Sequence, residues 1–164
     1  MGILECRIGG VIGGWDVRAN YGEGRVDGRL GGAVFGKDVQ LTVADGAVTG
    51  RIGGVVDGKD IELTYGSAAL TGRIGGLLAG ADIDLSLSGS AVTGRVGGEI
   101  VGFSVELVWN GEAVAGRFGG LVFGADVRGR VVGFPPLLAA AVLTAAYWQY
   151  KDDHRSNSGS GSNN

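Results

Sequence analysis

Residues 137–150 read Leu-Leu-Ala-Ala-Ala-Val-Leu-Thr-Ala-Ala-Tyr-Trp-Gln-Tyr, directly after a Gly-Phe-Pro-Pro break at 133–136. Alanine and leucine favour helix strongly and proline suits a helix start, so the sequence predicts a helix over 137–150. Thr144 is the only polar residue between Leu137 and Trp148. A helix that is apolar on every side must be enclosed by protein or lipid. At about 1.5 Å per residue it is roughly 21 Å long, short for a ~30 Å hydrocarbon core, which favours a buried core helix.

The composition indicates a single packed domain. Glycine is the outlier, with 35 residues among 164 against 2 prolines, yet 45% of the chain is hydrophobic, which argues against disorder. The net charge of −3 comes without a basic block, which argues against nucleic-acid binding. The N-terminus lacks the features of a signal peptide, and with the single cysteine, Cys6, this predicts a cytoplasmic protein.

An arginine recurs every 22 residues and defines six copies of one unit. The arginines are Arg7, Arg29, Arg51, Arg73, Arg95 and Arg117. Each is followed by an apolar residue and two glycines, and another glycine stands seven positions after the arginine. Nine positions after it stands Asp16, Asp38, Asp60, Asp82 or Asp126, with Ser104 in the fifth copy. Such self-similarity indicates one supersecondary unit that is copied along the chain.

The third copy shows that the unit is a hairpin. Core-facing and outward-facing residues alternate over 48–56 and over 59–65, and a period of two predicts half-buried strands. Asp-Gly at 57–58 and at 45–46 are favoured two-residue hairpin turns. Six copies therefore predict twelve antiparallel strands.

The turn positions also predict the register. A turn at 57–58 pairs Ile52 with Leu63 and places Val56 on the core face, and a turn at 45–46 pairs Ile52 with Val39. The same alternation predicts an inner wall with glycines at Gly28, Gly32, Gly50, Gly54, Gly72, Gly76, Gly94, Gly98, Gly116 and Gly120.

Twelve strands with one apolar face are expected to close into a barrel, because closure removes the sheet edges. With strands ~4.8 Å apart and tilted ~40°, the radius is roughly 12 Å, which leaves room for one rod as thick as a helix. Alanines on the helix and glycines on the wall let the two surfaces approach closely. The predicted fold is all-β with one helix. It is a 12-stranded closed antiparallel barrel of six hairpins, residues 1–150, around the C-terminal helix 137–150, with a disordered polar tail over 151–164.

Strands wrapped on a C-terminal hydrophobic helix resemble the Tubby C-terminal-like superfamily, which includes plant LURP-one-related proteins and phospholipid scramblases. The resemblance covers Ile3 to Tyr150 as architecture, and includes the late apolar segment 136–143. It implies phosphoinositide binding through a basic pocket, for which the sequence shows no counterpart. Two other folds stay open: a parallel β-solenoid with 22-residue coils, and an open hairpin array of the kind that MORN repeats resemble.

Two surfaces are candidates for binding. The first is an apolar rim at one barrel end, comprising Phe35, Val55, Leu77, Val101, Leu121 and Phe123, together with Val11. Such a rim is typical of a membrane or partner contact, unless the termini cover it. The second is an anion-facing ladder of Arg51, Arg73, Arg95 and Arg117, which Glu62, Asp84 and Glu106 on the intervening strands could instead neutralise diagonally. The repeated aspartates are expected to close Gly-x-Asp turns by side-chain hydrogen bonds.

Catalysis has no support in the sequence. The only histidine, His154, lies in the tail, and Cys6 replaces a repeat glycine and is expected to be buried filler. No phosphate-binding loop or zinc-ligand spacing appears. We therefore predict a monomer that is not an enzyme and has no cofactor, and that acts as a structural or binding module on a membrane surface or a protein partner. The alternatives are a transmembrane β-barrel with a polar lumen and a self-assembling or designed repeat scaffold with no natural ligand.

Overall fold

The computed structural model describes residues 1–10, 12–31, 36–76, 78–120 and 122–158, with the backbone alone for 156–158. Over these residues the chain forms twelve strands followed by one helix. The strands are β1 Gly2–Ile8, β2 Trp15–Gly22, β3 Arg25–Gly31, β4 Gly36–Ala44, β5 Ala47–Ile52, β6 Lys59–Tyr65, β7 Ala69–Ile74, β8 Ala81–Ser88, β9 Ala91–Val96, β10 Phe103–Asn110, β11 Ala113–Gly119 and β12 Gly124–Val132, and the helix α1 is Pro136–Ser158.

The twelve strands close into one antiparallel barrel, in which each strand pairs with its neighbours in sequence and β1 pairs with β12. Leu4 faces Val131 and Cys6 faces Gly129 across this closing seam. The predicted closed barrel is confirmed. The parallel solenoid and the open hairpin array are both wrong, because every pairing is antiparallel and the described strands leave no edge free.

One of the two predicted registers is confirmed and the other is wrong. Ile52 pairs with Val39 across β4 and β5 as expected, but it pairs with Lys59 rather than Leu63 across β5 and β6. The chain leaves the sheet at Gly53, whose φ of +88° is in the left-handed region that glycine tolerates. Residues 53–58 therefore form a loop, and Val56, predicted to face the core, is 98% exposed. The shift of four residues preserves the strand faces, because it is two full side-chain periods.

The interior of the barrel is apolar and contains α1. Every side chain from Leu137 to Tyr147 is buried, and the inward residues of all twelve strands pack around them. The Thr144 hydroxyl is satisfied within the helix, since Thr144 Oγ1 donates to the Ala140 carbonyl oxygen at 2.8 Å. This interior differs from the polar lumen that the transmembrane alternative requires.

The helix is longer than predicted. It spans 23 residues, so Lys151–Arg155, which were expected to begin the disordered tail, are helical. Ion pairs to the barrel hold this last part, with Asp152 on Lys59 and Asp153 on Lys37. The predicted tail beyond Ser158 lies outside the described residues. No helix in the described part of the chain combines the length and apolar content that a membrane span requires.

The predicted role of the wall glycines, to make room for α1, is not what the described glycines do. Gly54, Gly76, Gly98 and Gly120 lie in exposed loops, and Gly32 falls outside the described residues. The strand glycines Gly28, Gly50, Gly72, Gly94 and Gly116 make room for a neighbouring strand rather than for α1. A Cβ on Gly116, for example, would lie 2.8 Å from the Leu107 Cα and would clash with the Glu106 carbonyl oxygen.

Candidate functional site

One end of the barrel is defined by the loops that join each odd-numbered strand to the next even-numbered one. Because antiparallel strands alternate in direction, these loops lie at the same end. Their described parts are residues 9–10, 12–14, 53–58, 75–76, 78–80, 97–102, 120 and 122–123. The loop 32–35 lies outside the described residues. The helix α1 starts at the opposite end, after β12, and its last turns emerge among these loops.

The described parts of these loops expose large apolar side chains. Eleven large hydrophobic residues are exposed in the described chain, and eight of them lie here. These eight, the apolar rim, are Ile12, Val55, Val56, Leu78, Ile100, Val101, Val122 and Phe123. All but Val101, at 58%, are more than four-fifths exposed. The turns at the other end are polar, as in Asp45-Gly46 and Asn110-Gly111, so the molecule has one polar and one apolar end.

Three of the predicted rim residues, Val55, Val101 and Phe123, belong to the apolar rim. Phe35, Leu77, Leu121 and Val11 lie outside the described residues. Sequence reasoning missed Ile12, Val56, Leu78, Ile100 and Val122. All five stand five positions after a repeat arginine, where every copy carries an apolar residue, so the 22-residue period contained the signal.

In the five copies whose loops are described, the repeat arginine holds the base of its loop. Arg117 donates from Nε to the Gly120 carbonyl oxygen at 3.0 Å and from Nη1 to Asp126 Oδ1 at 2.7 Å. We call this pair of interactions the arginine clamp, and it fastens the loop to the strand that follows it. The clamp recurs at Arg7, Arg51 and Arg73 with Asp16, Asp60 and Asp82, and its ion pair recurs between Arg29 and Asp38.

The clamp corrects two predictions. The repeated aspartates accept a hydrogen bond from an arginine across the hairpin, where a Gly-x-Asp turn closure was expected. Glu62, Asp84 and Glu106 lie directly opposite Arg73, Arg95 and Arg117 on the preceding strand, where a diagonal position was expected.

The predicted arginine ladder is therefore largely occupied by internal contacts. Arg51, Arg73 and Arg117 are paired with aspartates. Arg95 bonds instead to the Ser104 hydroxyl at 3.3 Å and to the Gly98 carbonyl oxygen at 2.8 Å. The use of this ladder for binding anions stays a prediction.

The centre of the apolar rim is filled by the end of α1. Lys37 Nζ lies 3.0 Å from Asp153 Oδ1, and Lys59 Nζ lies 3.2 Å from Asp152 Oδ2. Tyr150 donates its hydroxyl to the Gly13 carbonyl oxygen at 3.3 Å. Burial, and secondarily the charge of Arg155, lowers the pKa of Lys151. This end of the barrel thus has an apolar ring around a polar, ion-paired centre.

The groups that could carry chemistry are separated. Cys6 is buried, and burial raises the pKa of its thiol to about 12, so the thiol is protonated at neutral pH. His154 Nδ1 lies 2.8 Å from the Tyr150 carbonyl oxygen, near the end of α1. Across the described residues, no group of three or more His, Cys, Asp or Glu side chains is arranged to hold a metal ion.

Comparisons with protein-family models, with curated proteins and with solved structures find no match for this chain. The relationship to the Tubby C-terminal-like superfamily therefore stays a prediction. A functional proposal has to rest on the two-ended geometry of the barrel.

Proposed function

We propose that the protein is a non-catalytic binding module that docks on a lipid surface through the apolar rim. One observation supports this above all: of the eleven large hydrophobic residues that are exposed among the described residues, eight lie on loops at a single barrel end. Exposed apolar residues scattered singly are normal, whereas a concentrated set marks a contact surface.

The energy available at the rim is sufficient for docking. Full burial of a large aliphatic or aromatic side chain contributes about 1.5–3 kcal/mol, so eight of them offer roughly 12–24 kcal/mol as an upper bound. A shallow insertion that gains a third of this amount would give roughly 4–8 kcal/mol, which corresponds to reversible binding.

A lipid surface suits the rim better than a folded protein partner does, because lipid can adapt to the shape of the rim. The rim side chains stand on separate loops and are mostly exposed on all sides, whereas a protein partner must match the shape of what it binds. The arginine clamps hold the bases of the loops, so little ordering entropy opposes docking. Polar α1 residues at the centre limit the insertion to the interfacial region.

Charge is expected to matter little for this docking. Near the rim, Lys37 and Lys59 are ion-paired with Asp153 and Asp152, and the chain carries a net charge of −3. Binding to neutral phosphatidylcholine vesicles should therefore be as strong as binding to vesicles with added phosphatidylserine. Binding should also persist at about 0.5 M salt, a level well above the physiological ~0.15 M, because salt screens electrostatic attraction but does not weaken apolar insertion.

Vesicle co-sedimentation tests the proposal. The double variant Val122→Ser/Phe123→Ser removes two rim side chains and should weaken partitioning into phosphatidylcholine vesicles by about thirtyfold or more. This factor follows because each partly buried side chain contributes roughly 1 kcal/mol to the binding free energy. Val108→Ser is the matched control, because Val108 is 52% exposed but lies on the barrel wall. Its partitioning should equal that of the wild type.

Two results would contradict the proposal. Equal vesicle binding by the rim variant and the wild type would remove the rim from the contact. The other contrary result is that the wild-type protein does not bind vesicles but forms an oligomer, and that the rim variant does not form it. The rim would then be a self-association surface, and sedimentation equilibrium measures the oligomer directly.

A further inference from the structure

A second site is indicated by a break in the charge pattern on the outer wall. In copies three to five, which we call the middle copies, the position eleven residues after the repeat arginine is acidic: Glu62, Asp84 and Glu106. The second copy carries Gln40 there. Each of the three acidic residues lies directly opposite the arginine of the next copy, as Glu62 lies opposite Arg73. The wall is thus built from opposite charges paired across neighbouring strands, an arrangement that stabilises a sheet.

The first and last copies invert this pairing where the barrel closes. The equivalent positions are Arg18 and Arg128. Arg18 lies directly opposite Arg29 across β2 and β3, and Arg128 lies directly opposite Arg7 across the β12–β1 seam. Like charges placed opposite each other destabilise a sheet. Glu5 and Asp16 lie directly opposite Arg18 and Arg7 across β1 and β2 and offset part of this repulsion, whereas Arg128 has Arg7 and Ala115 opposite it and no carboxylate. An anion bound between the arginine pairs would lower the repulsion that is left.

The four arginines border a groove on the outer wall. One cavity of about 300 Å³ is lined by Glu5, Arg7, Arg18 and Arg128, with Cys6 and Asp16. A second, of about 290 Å³, shares Glu5 and Arg18 with the first and extends to Arg29. We call these two cavities the seam groove.

The arginines of the seam groove fall into two kinds. Arg7 and Arg29 are held by ion pairs, with Nη1 at 2.7 Å from Asp16 and 2.6 Å from Asp38. Arg18 and Arg128 are exposed and have no hydrogen bond or ion pair to another described residue. They lie on the two strands that flank β1, so both guanidinium groups can reach one ligand above that strand.

We propose that the seam groove binds a tetrahedral oxyanion, either free phosphate or sulfate or the phosphate group of a small monoester. Arg18 and Arg128 would contact its oxygens, since the planar guanidinium fork matches such oxygens in two-point hydrogen bonds. The first cavity carries a net positive charge, because the three arginines that line it outnumber its two carboxylates, Glu5 and Asp16. The proposal does not depend on docking through the apolar rim.

Titration with inorganic phosphate, at an ionic strength held constant with sodium chloride, tests the proposal. Arginine Nε–Hε NMR signals report binding at individual side chains, and those of Arg18 and Arg128 should shift with saturation in the wild type. Arg18→Glu restores the acidic residue of the middle copies and should weaken phosphate binding at least about tenfold, the factor expected when one hydrogen bond between charged groups is lost. Arg25→Glu changes the net charge equally at the far end of β3 and should leave the titration unchanged.

A parallel titration with phenyl phosphate separates the two sources of the oxyanion. Equal affinity for both probes supports a free anion as ligand, and at least about tenfold tighter binding of phenyl phosphate supports a monoester. The proposal is overturned if neither probe shifts the two arginine signals, or if Arg18→Glu binds phosphate as the wild type does. The proposal would also be overturned if Arg18→Glu melted at a higher temperature than the wild type and bound phosphate equally well. That result would mean that the arginine pairs only repel each other and do not form an anion site.

Discussion

The enclosure of α1 makes a quantitative prediction at Leu143. This side chain lies in the buried part of the helix, is 0% exposed and belongs to the apolar cluster of the barrel interior. Leu143→Ala removes three carbons from a site that twelve closed strands keep from collapsing. Leucine-to-alanine changes in rigid cores cost about 2–5 kcal/mol, and we expect about 3–4 kcal/mol here.

That loss is a large part of the roughly 5–15 kcal/mol that stabilises a domain. For a chain of this size it should lower the melting temperature by about 6–16 °C, at roughly 2–4 °C per kcal/mol. Equilibrium unfolding in urea measures it, followed by tryptophan fluorescence in a Trp15→Phe/Trp109→Phe background, in which Trp148 on α1 is the tryptophan that remains.

Val108→Ala is the control for this measurement, because it removes apolar carbons from a wall residue that is 52% exposed. It should change the free energy of unfolding by no more than about 0.5 kcal/mol. If Leu143→Ala also costs less than about 1 kcal/mol, with an unchanged dependence on urea, then the helix is not enclosed by the barrel and the reasoning fails.

Ser104→Asp supplies the clamp partner that Arg95 lacks and should raise the free energy of unfolding by about 0.2–1 kcal/mol, measured in urea; a decrease would contradict the clamp. The Cys6 thiol has its pKa raised from 9.0 to about 12 by burial, so its contribution to stability is complete below about pH 9 and declines as the pH rises toward 12. Cys6→Ala should flatten the fall in the urea midpoint between pH 8 and pH 10.5, a range chosen around the unfolded value near 8.5–9, and an unaltered fall would refute this assignment. Truncation after Gly133 removes α1 and should yield insoluble or molten protein; a soluble truncated chain with a cooperative melting transition would show that the barrel closes without its core.

Much of the architecture was predictable because it depends on short-range patterns. Alternation with a period of two marks the strands, and Asp45-Gly46 sets the Ile52–Val39 register, since a two-residue turn leaves no freedom in the pairing that follows. Strand number and the apolar helix then lead to a closed barrel through the general cost of open edges. The rim was predictable in part, through Val55, Val101 and Phe123.

The errors came where a local signal competed with contacts that are distant in sequence. Asp57-Gly58 has the form of a hairpin turn, yet the chain leaves the sheet four residues earlier, at Gly53. Gly53 donates its N–H to the Asp38 carbonyl oxygen at 2.8 Å on the strand before, and Arg51 secures the loop beyond. These contacts favour the longer loop, and that loop exposes Val56.

The amino-acid sequence by itself determined that this chain makes twelve strands, one apolar helix and a repeating arginine, because strand alternation, helix propensity and a period of 22 residues are properties of neighbouring positions. Only the tertiary structure decided that Lys37 meets Asp153 and that Arg7 lies opposite Arg128. The physical reason is closure: the last strand returns to the first and the helix runs back through the barrel, so side chains more than a hundred positions apart in the chain become neighbours.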